Sequence, residues 1–175
     1  ALVERLKSIG LTAIAYETLV ENGKTPLLAP MSAIAGRLAV QIGTWYLHGP
    51  RGGRGTLLGG IWDKKIGNVA VIGAGVAGTE AIALAHGMGA NVTVLDIDGA
   101  RLQSLAKEYP GIEAVVSTPN AIEDVLKETD LLVGSVYVIG RKAPIVVTED
   151  HIKAMLPGSV AVDISIDQGG CIEPS

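Results

Sequence analysis

Short apolar runs alternate with mixed segments of helical period through most of the chain. "NVAVIG" (68–73), "NVTVLD" (91–96), "AVVS" (114–117), "DLLVGSV" (130–136) and "SVAVDIS" (159–165) read as strands. Their nearly continuous apolar character suits a parallel sheet covered on both faces. Between them, 76–88, 100–108, 121–127 and 149–155 read as helices, the last with Thr148 as its N-cap. That alternation predicts parallel βαβ units. Upstream, "LTAIAY" (11–16) is a short β-like run. In "PLLAPMSAIAGRLAVQIGTWYL" (26–47), Ile34, Leu38, Ile42 and Trp45 recur at i, i+4, i+8 and i+11, which predicts an amphipathic helix with Pro30 near its start. "PRGGRGTLLGG" (50–60) reads as a glycine-rich loop.

Composition narrows this picture. The 175 residues are 48% apolar with a mean hydropathy of +0.39, in keeping with a doubly covered sheet. No run approaches the roughly 18 uncharged apolar residues of a membrane span, because Arg37, Lys64, Glu80 and Arg141 cut the longest candidates. Glu4, Arg5 and Lys7 break up the start, so no signal peptide is read there. A net charge of −4 without a basic cluster argues against nucleic acid. The single cysteine, Cys171, excludes an internal disulfide and fits a reducing cytoplasm. The chain begins on Ala1 and ends on "CIEPS" just after an apolar strand. A fragment of a longer protein is expected, with a complete small protein that has lost its Met as the alternative.

Gly73-Ala74-Gly75-Val76-Ala77-Gly78 follows an apolar strand and opens a proline-free helix. This is the context in which G-x-G-x-x-G binds a dinucleotide. Gly73 permits the tight turn, Gly75 lets the backbone approach a pyrophosphate, and Gly78 lets helix and strand pack closely. The helix N-terminus offers unpaired N–H groups to the phosphates. Asp96 ends the next strand about 20 residues on, where a carboxylate binds the ribose hydroxyls of NAD and repels the 2′-phosphate of NADP. Arg101, nearby, could reach a phosphate or line the adenine end. A glycine turn with a solvated aspartate, or a site for FAD or a nucleotide-sugar, are the other readings. The expected fold is α/β: a Rossmann-type doubly wound parallel sheet with helices on both faces, preceded by a long interdomain helix. Residues 1–29 are expected to end a preceding domain or act as a connector, 30–60 to form the linking helix and glycine-rich loop, and 61–175 to form the nucleotide-binding domain.

Asp167-Gln168-Gly169-Gly170 closes the last strand. Ligands of open α/β sheets bind beyond the carboxyl ends of strands, which would put Asp167 at the cofactor crevice. A plain Asp-Gly-Gly turn is equally consistent. His48, His86 and His151 lie in no motif and read as structural or solvated. Cys171 reads as a small buried residue, and "PRGGRG" as a connector because it follows a helix.

"PLLAPMSAIAGRLAVQIG", "GTLLGG", the glycine loop and "KAPIVVTEDHIKAMLPGSVAVDISIDQGGCIE" together closely resemble the alanine dehydrogenase family, which is related to the proton-translocating nicotinamide nucleotide transhydrogenases. The resemblance covers nearly the whole chain. Asp167-Gln168-Gly169-Gly170 stands where transhydrogenases carry Glu-Gln-Gly-Gly, which favours the dehydrogenase. The resemblance implies NAD contacts at Ser32, Val76, Ala77, Asp96, Arg101, Ser117, Val136, Tyr137, Ile164, Ser165, Ile166 and Asp167, with Asp167 the catalytic aspartate. It implies oxidation of L-alanine with NAD and water to pyruvate, ammonia and NADH by a cytoplasmic homo-oligomer, a hexamer in the family. The family's catalytic lysine and histidine lie in a domain upstream of residue 1. "IWDKKIG" (61–67) replaces the turn expected in the family, so an altered loop is expected there. A stand-alone NAD-binding module, and a transhydrogenase-type subunit working with a membrane partner, are the alternatives.

Overall fold

The computed structural model describes residues 2–175. Along the chain it forms α1 (Leu2–Ser8), α2 (Ala29–Tyr46), β1 (Gly59–Ile61), β2 (Lys64–Ile66), β3 (Asn68–Ile72), α3 (Val76–Met88), β4 (Asn91–Asp96) and α4 (Gly99–Glu108). β5 (Glu113–Val116), α5 (Pro119–Leu126), β6 (Leu131–Gly134), α6 (Glu149–Ala154) and β7 (Val160–Asp163) follow. β3 to β7 make a five-stranded sheet in the order β5-β4-β3-β6-β7, with every pairing parallel.

Strand alternation divides the core. Val69 and Val71 of β3, Val92 and Val94 of β4, and Leu131 and Val133 of β6 face α2, α3 and α4, where Val40, Ile82 and Leu105 are fully buried. Ala70, Ile72, Leu95 and Leu132 face the other way, onto Ile122 and Leu126 of α5 and the Val147–Ile152 region. The sheet is therefore doubly wound, with helices on both faces, as the continuous apolar runs predict.

The long helix is α2, and Pro30 stands in its first turn. Its inward face differs from the one expected. Ile34, Leu38, Ile42 and Trp45 are exposed, and Gly36, Ala39, Val40 and Gly43 are buried. The cause is close approach. A Cβ on Gly36 would collide with the Ala77 carbonyl, and one on Gly43 with the Leu131 side chain. Small residues let α2 lie directly on α3 and β6, and the large stripe faces outward.

Other expectations are corrected at the ends of the chain. "LTAIAY" forms no strand: its residues are exposed and join no sheet among the described residues. The last strand stops at Asp163, not Ser165, and a single 3₁₀ turn (Ile166–Gln168) carries Asp167. The "IWDKKIG" segment folds into the antiparallel β1–β2 hairpin, with Trp62 at its tip at φ +56° and 97% exposed.

His48 is exposed and precedes a 3₁₀ turn without a side-chain cap hydrogen bond, and His86 Nε2 lies 3.0 Å from the Pro110 carbonyl. His151 Nδ1 accepts the Thr148 N–H in a reciprocal cap at the start of α6. "PRGGRG" is a connector in which Arg51 stacks on Trp45 and Arg54 pairs with Asp130. Cys171 is free and fully buried.

Candidate functional site

The strand order reverses between β3 and β6, which stay paired to their ends at Ile72 and Gly134, and the chain leaves those ends toward opposite faces of the sheet, so a crevice opens there. Its volume is about 740 Å³. The glycine loop, Gly73 to Ala77, forms its floor. Leu95, Asp96, Ile97 and Ser117, from the ends of β4 and β5, form one wall. Ser135 to Ile139 form another, and Leu28, Ala29 and Ser32 of the α2 start close the third side.

The loop has its shape for local reasons. Gly73 stands at φ +99°, and a Cβ there would meet the Ser135 carbonyl at 2.7 Å. The Ser135 hydroxyl lies 2.9 Å from the Gly73 carbonyl and seals the split between β3 and β6. A Cβ on Gly78 would strike the Gly73 carbonyl, so glycine is what allows α3 to start so close to β3. A Cβ on Gly75, by contrast, meets nothing within 4 Å. It points into open crevice space.

Asp96 ends β4 and lines the crevice. Its Oδ2 accepts the Ala74 N–H, and its Oδ1 accepts the Asp98 N–H at 2.8 Å. Asp96 and Lys24 are the charged side chains among the lining residues, which are otherwise mostly apolar. The N–H groups of Gly75 and Val76 donate to no acceptor among the described residues. The N–H groups of Ala77 and Gly78 at the same helix start also find none, so the groove offers free N–H donors beside a carboxylate, a pairing that can accept a phosphate and a hydroxyl.

Of the residues singled out in the sequence, Ser32, Gly73, Gly75, Val76, Ala77, Asp96, Ser117, Val136 and Tyr137 meet at this crevice. Gly78 supports it from below. Arg101 lies behind the loop, where it donates through Nε to the Ala74 carbonyl at 3.1 Å and through a terminal nitrogen to Thr79 Oγ1 at 2.7 Å. Ile164, Ser165, Ile166 and Asp167 do not line the crevice but adjoin its wall: the Ser165 hydroxyl donates to the Val136 carbonyl at 2.7 Å. Asp167 itself is exposed on the turn.

That turn is organised by Asp163, which sequence reading passed over as strand interior. Its carboxylate accepts the N–H groups of Ser165, Cys171 and Ile172 at 2.9–3.0 Å and the Ser175 hydroxyl at 2.7 Å. Burial, aided by the nearby Asp163 charge, pushes the Cys171 thiol up to about 11. The segment 23–28, with Lys24 and Thr25 in the lining, was also missed. Its only sequence signal was proximity to the helix start.

Fold and site together define a nucleotide-binding Rossmann domain. Residues 39–175 match the family described as "Alanine dehydrogenase/PNT, C-terminal domain", and the chain belongs to that family. It is 48% identical over 173 residues to an alanine dehydrogenase of Bacillus subtilis, covering 98% of this chain and 46% of that protein. It therefore spans about half the length of the relatives it matches. A solved L-alanine dehydrogenase superposes with a TM-score of 0.88 at 48% identity, covering 98% of this chain and 48% of the other. A transhydrogenase from Sinorhizobium meliloti follows at a TM-score of 0.78 and 28% identity, covering 95% and 49%. No helix among the described residues is long and apolar enough to cross a membrane.

Proposed function

We propose that this chain is the NAD(H)-binding part of an alanine dehydrogenase, a cytoplasmic homo-oligomeric enzyme that converts L-alanine reversibly to pyruvate and ammonia. The observation that carries the cofactor assignment is the crevice floor: the open space beside Gly75 and the unpaired N–H groups of Gly75 and Val76, with Asp96 at the end of β4. The residues fit the group. The loop N–H groups would hold the pyrophosphate, and Asp96 would accept the adenosine ribose hydroxyls while repelling a 2′-phosphate. Ile97 and Ser117 would flank the adenine end, and Val136, Tyr137 and Ser32 the nicotinamide end.

When bound, the cofactor supplies a hydride acceptor for the alanine Cα. The chain's own part is to fix the dinucleotide, exclude water with the apolar walls, and present the 164–168 turn beside Val136. On that turn Asp167 would hold a proton for the imine hydrolysis that follows. No histidine lines the crevice. The substrate clamp and the water-activating groups are assigned to protein beyond these 175 residues, which also fits the division at 1–29, 30–60 and 61–175. The exposed stripe Ile34, Leu38, Ile42 and Trp45 on α2 supports the assignment of a homo-oligomer.

The test is a fluorescence titration with NADH, with NADPH as control. Binding in the micromolar to millimolar range is expected, with NADPH weaker. NADPH binding as tight as NADH would remove Asp96 from the ribose. The chain alone, given L-alanine and NAD at alkaline pH, is expected to make no detectable NADH, because fixing the substrate geometry accounts for about 7–11 kcal/mol of barrier lowering.

A further inference from the structure

We propose that Asp163 is a positioning residue for the reaction, one that sets the place of Asp167 beside the crevice wall and acts only through the backbone of the turn. The inference deepens the alanine dehydrogenase reading above and rests on its assignment of Asp167. The Asp163 carboxylate closes the neck of a loop. Its Oδ1 accepts the Ser165 N–H at 2.9 Å, where the turn begins. Its Oδ2 accepts the N–H groups of Cys171 and Ile172 at 2.9 and 3.0 Å, where the turn has ended, and the Ser175 hydroxyl at 2.7 Å. Residues 165 and 171 are thus tied to one side chain, and the stretch between them carries Asp167. Gly170 stands at φ +75°, and a Cβ there would lie 3.0 Å from Asp163 Oδ2. The second glycine after Gln168 therefore lets the neck close on the carboxylate.

The position of the neck is passed on to the crevice by further hydrogen bonds. Cys171, gripped at its N–H by Asp163, accepts at its carbonyl from the Val146 and Val147 N–H groups at 2.9 and 3.1 Å, and Val146 lines the crevice. The Ser165 hydroxyl donates to the carbonyl of Val136, another lining residue, at 2.7 Å. The Gln168 carbonyl accepts the Ala143 N–H at 2.8 Å. The turn is held against two stretches of wall, and Asp163 holds the turn. Asp163 does not line the crevice itself. It ends β7, where pairing with Gly134 of β6 fixes its backbone, so the turn takes its position from the sheet.

The chemistry of the neck calls for a carboxylate. Three backbone N–H groups and a hydroxyl converge on its two oxygens, and the Cys171 thiol lies 3.4 Å from Oδ1. Both oxygens must accept, and hydrogen bonds to an ionised acceptor are the stronger kind. An asparagine has one acceptor oxygen and one NH₂ donor. With its oxygen turned to the three donors at the Oδ2 place, its NH₂ faces the Ser165 N–H, donor against donor. Asp163→Asn therefore loosens the first residue of the turn and keeps the far side of the neck.

The experiment is steady-state kinetics with L-alanine and NAD on the full-length enzyme that carries this chain. The variants are Asp163→Asn, Asp167→Asn and the double variant, each checked for folding by circular dichroism. Asp163→Asn is expected to lower kcat about 10- to 100-fold, the scale of a misplaced reacting group, and to leave KM for NAD within about twofold. Added to Asp167→Asn, it is expected to lower kcat by no more than a further factor of about two, because it acts through Asp167. Losses that multiply in the double variant overturn the proposal, as does wild-type kcat for Asp163→Asn or a KM for NAD that rises as far as kcat falls. If Asp163→Asn does not fold, Ser175→Ala takes one donor from the same carboxylate and carries the comparison at about two- to fivefold in kcat; unchanged kcat there overturns the proposal. Wild-type kcat for Asp167→Asn overturns the assignment of Asp167 instead.

Discussion

Arg54 reaches Asp130 at 3.0 Å and closes the glycine-rich connector onto the far end of the sheet from the crevice. The Asp130 side chain is 8% exposed and also accepts the Asn68 N–H at 2.8 Å and the Thr56 hydroxyl at 3.2 Å. Asp130→Ala strands a half-buried guanidinium and a backbone N–H, and is expected to cost about 3 kcal/mol. Arg54→Met leaves the carboxylate its other donors and is expected to cost about 1–2 kcal/mol. Urea unfolding of both variants measures this. An unchanged midpoint for Asp130→Ala would reduce the pair to a surface contact.

Gly75→Val separates fold from binding. Its backbone, at φ −69°, suits any residue, and the added side chain enters open space. The melting temperature is expected to stay within a few degrees of wild type, while NADH binding is lost because the valine occupies the pyrophosphate path. Retained NADH binding would remove the loop from the site.

Asp163 and Asp167 are expected to part company. Asp163→Ala frees the N–H groups of Cys171 and Ile172 and is expected to cost about 2–3 kcal/mol in thermal or urea unfolding. Asp167→Asn, on an exposed turn, is expected to leave stability unchanged and NADH binding within about tenfold, because a group placed for chemistry acts mainly on the transition state. In a complete enzyme the same change is expected to lower turnover about 100-fold or more. Wild-type turnover there would return Asp167 to a plain turn.

Alkaline stability is expected to carry the signature of Cys171. Burial raises its thiol from 9.0 to about 11. A folded-state pKa above the unfolded one gives stability that is complete below pH 9 and lost as pH rises toward about 11. Between those values the wild type is expected to lose up to about 1.4 kcal/mol per pH unit more than Cys171→Ala. Parallel pH profiles for the two proteins would show a thiol that ionises freely in the native state.

The βαβ unit from Asn68 to Asp96 was legible almost to the residue, because a fully buried strand and a glycine turn each leave a strong local mark. The face of α2 was not. Periodicity reports where the large apolar residues lie, and here packing is decided by Gly36, Ala39 and Gly43, whose smallness is invisible to a hydrophobic pattern. That the loop residues and Asp96 meet in one crevice was legible because that placement depends on backbone spacing. Asp163 was not, since it acts by hydrogen bonds to backbone brought near only by the fold. "LTAIAY" has strand propensity but no neighbour to pair with among the described residues, and propensity alone makes no sheet.

Gly36 sits one helical turn beyond Ser32, against the Ala77 carbonyl. Ser32 and Ala77 stand on opposite banks of the crevice. Gly43, two turns further on, is seated in the same way on Leu131, so α2 is held at two points along its length. The missing side chains at Gly36 and Gly43 therefore act as a gauge: they set how near the helix lies to the sheet, and with it how far Leu28, Ala29 and Ser32 stand from the glycine loop across the slot.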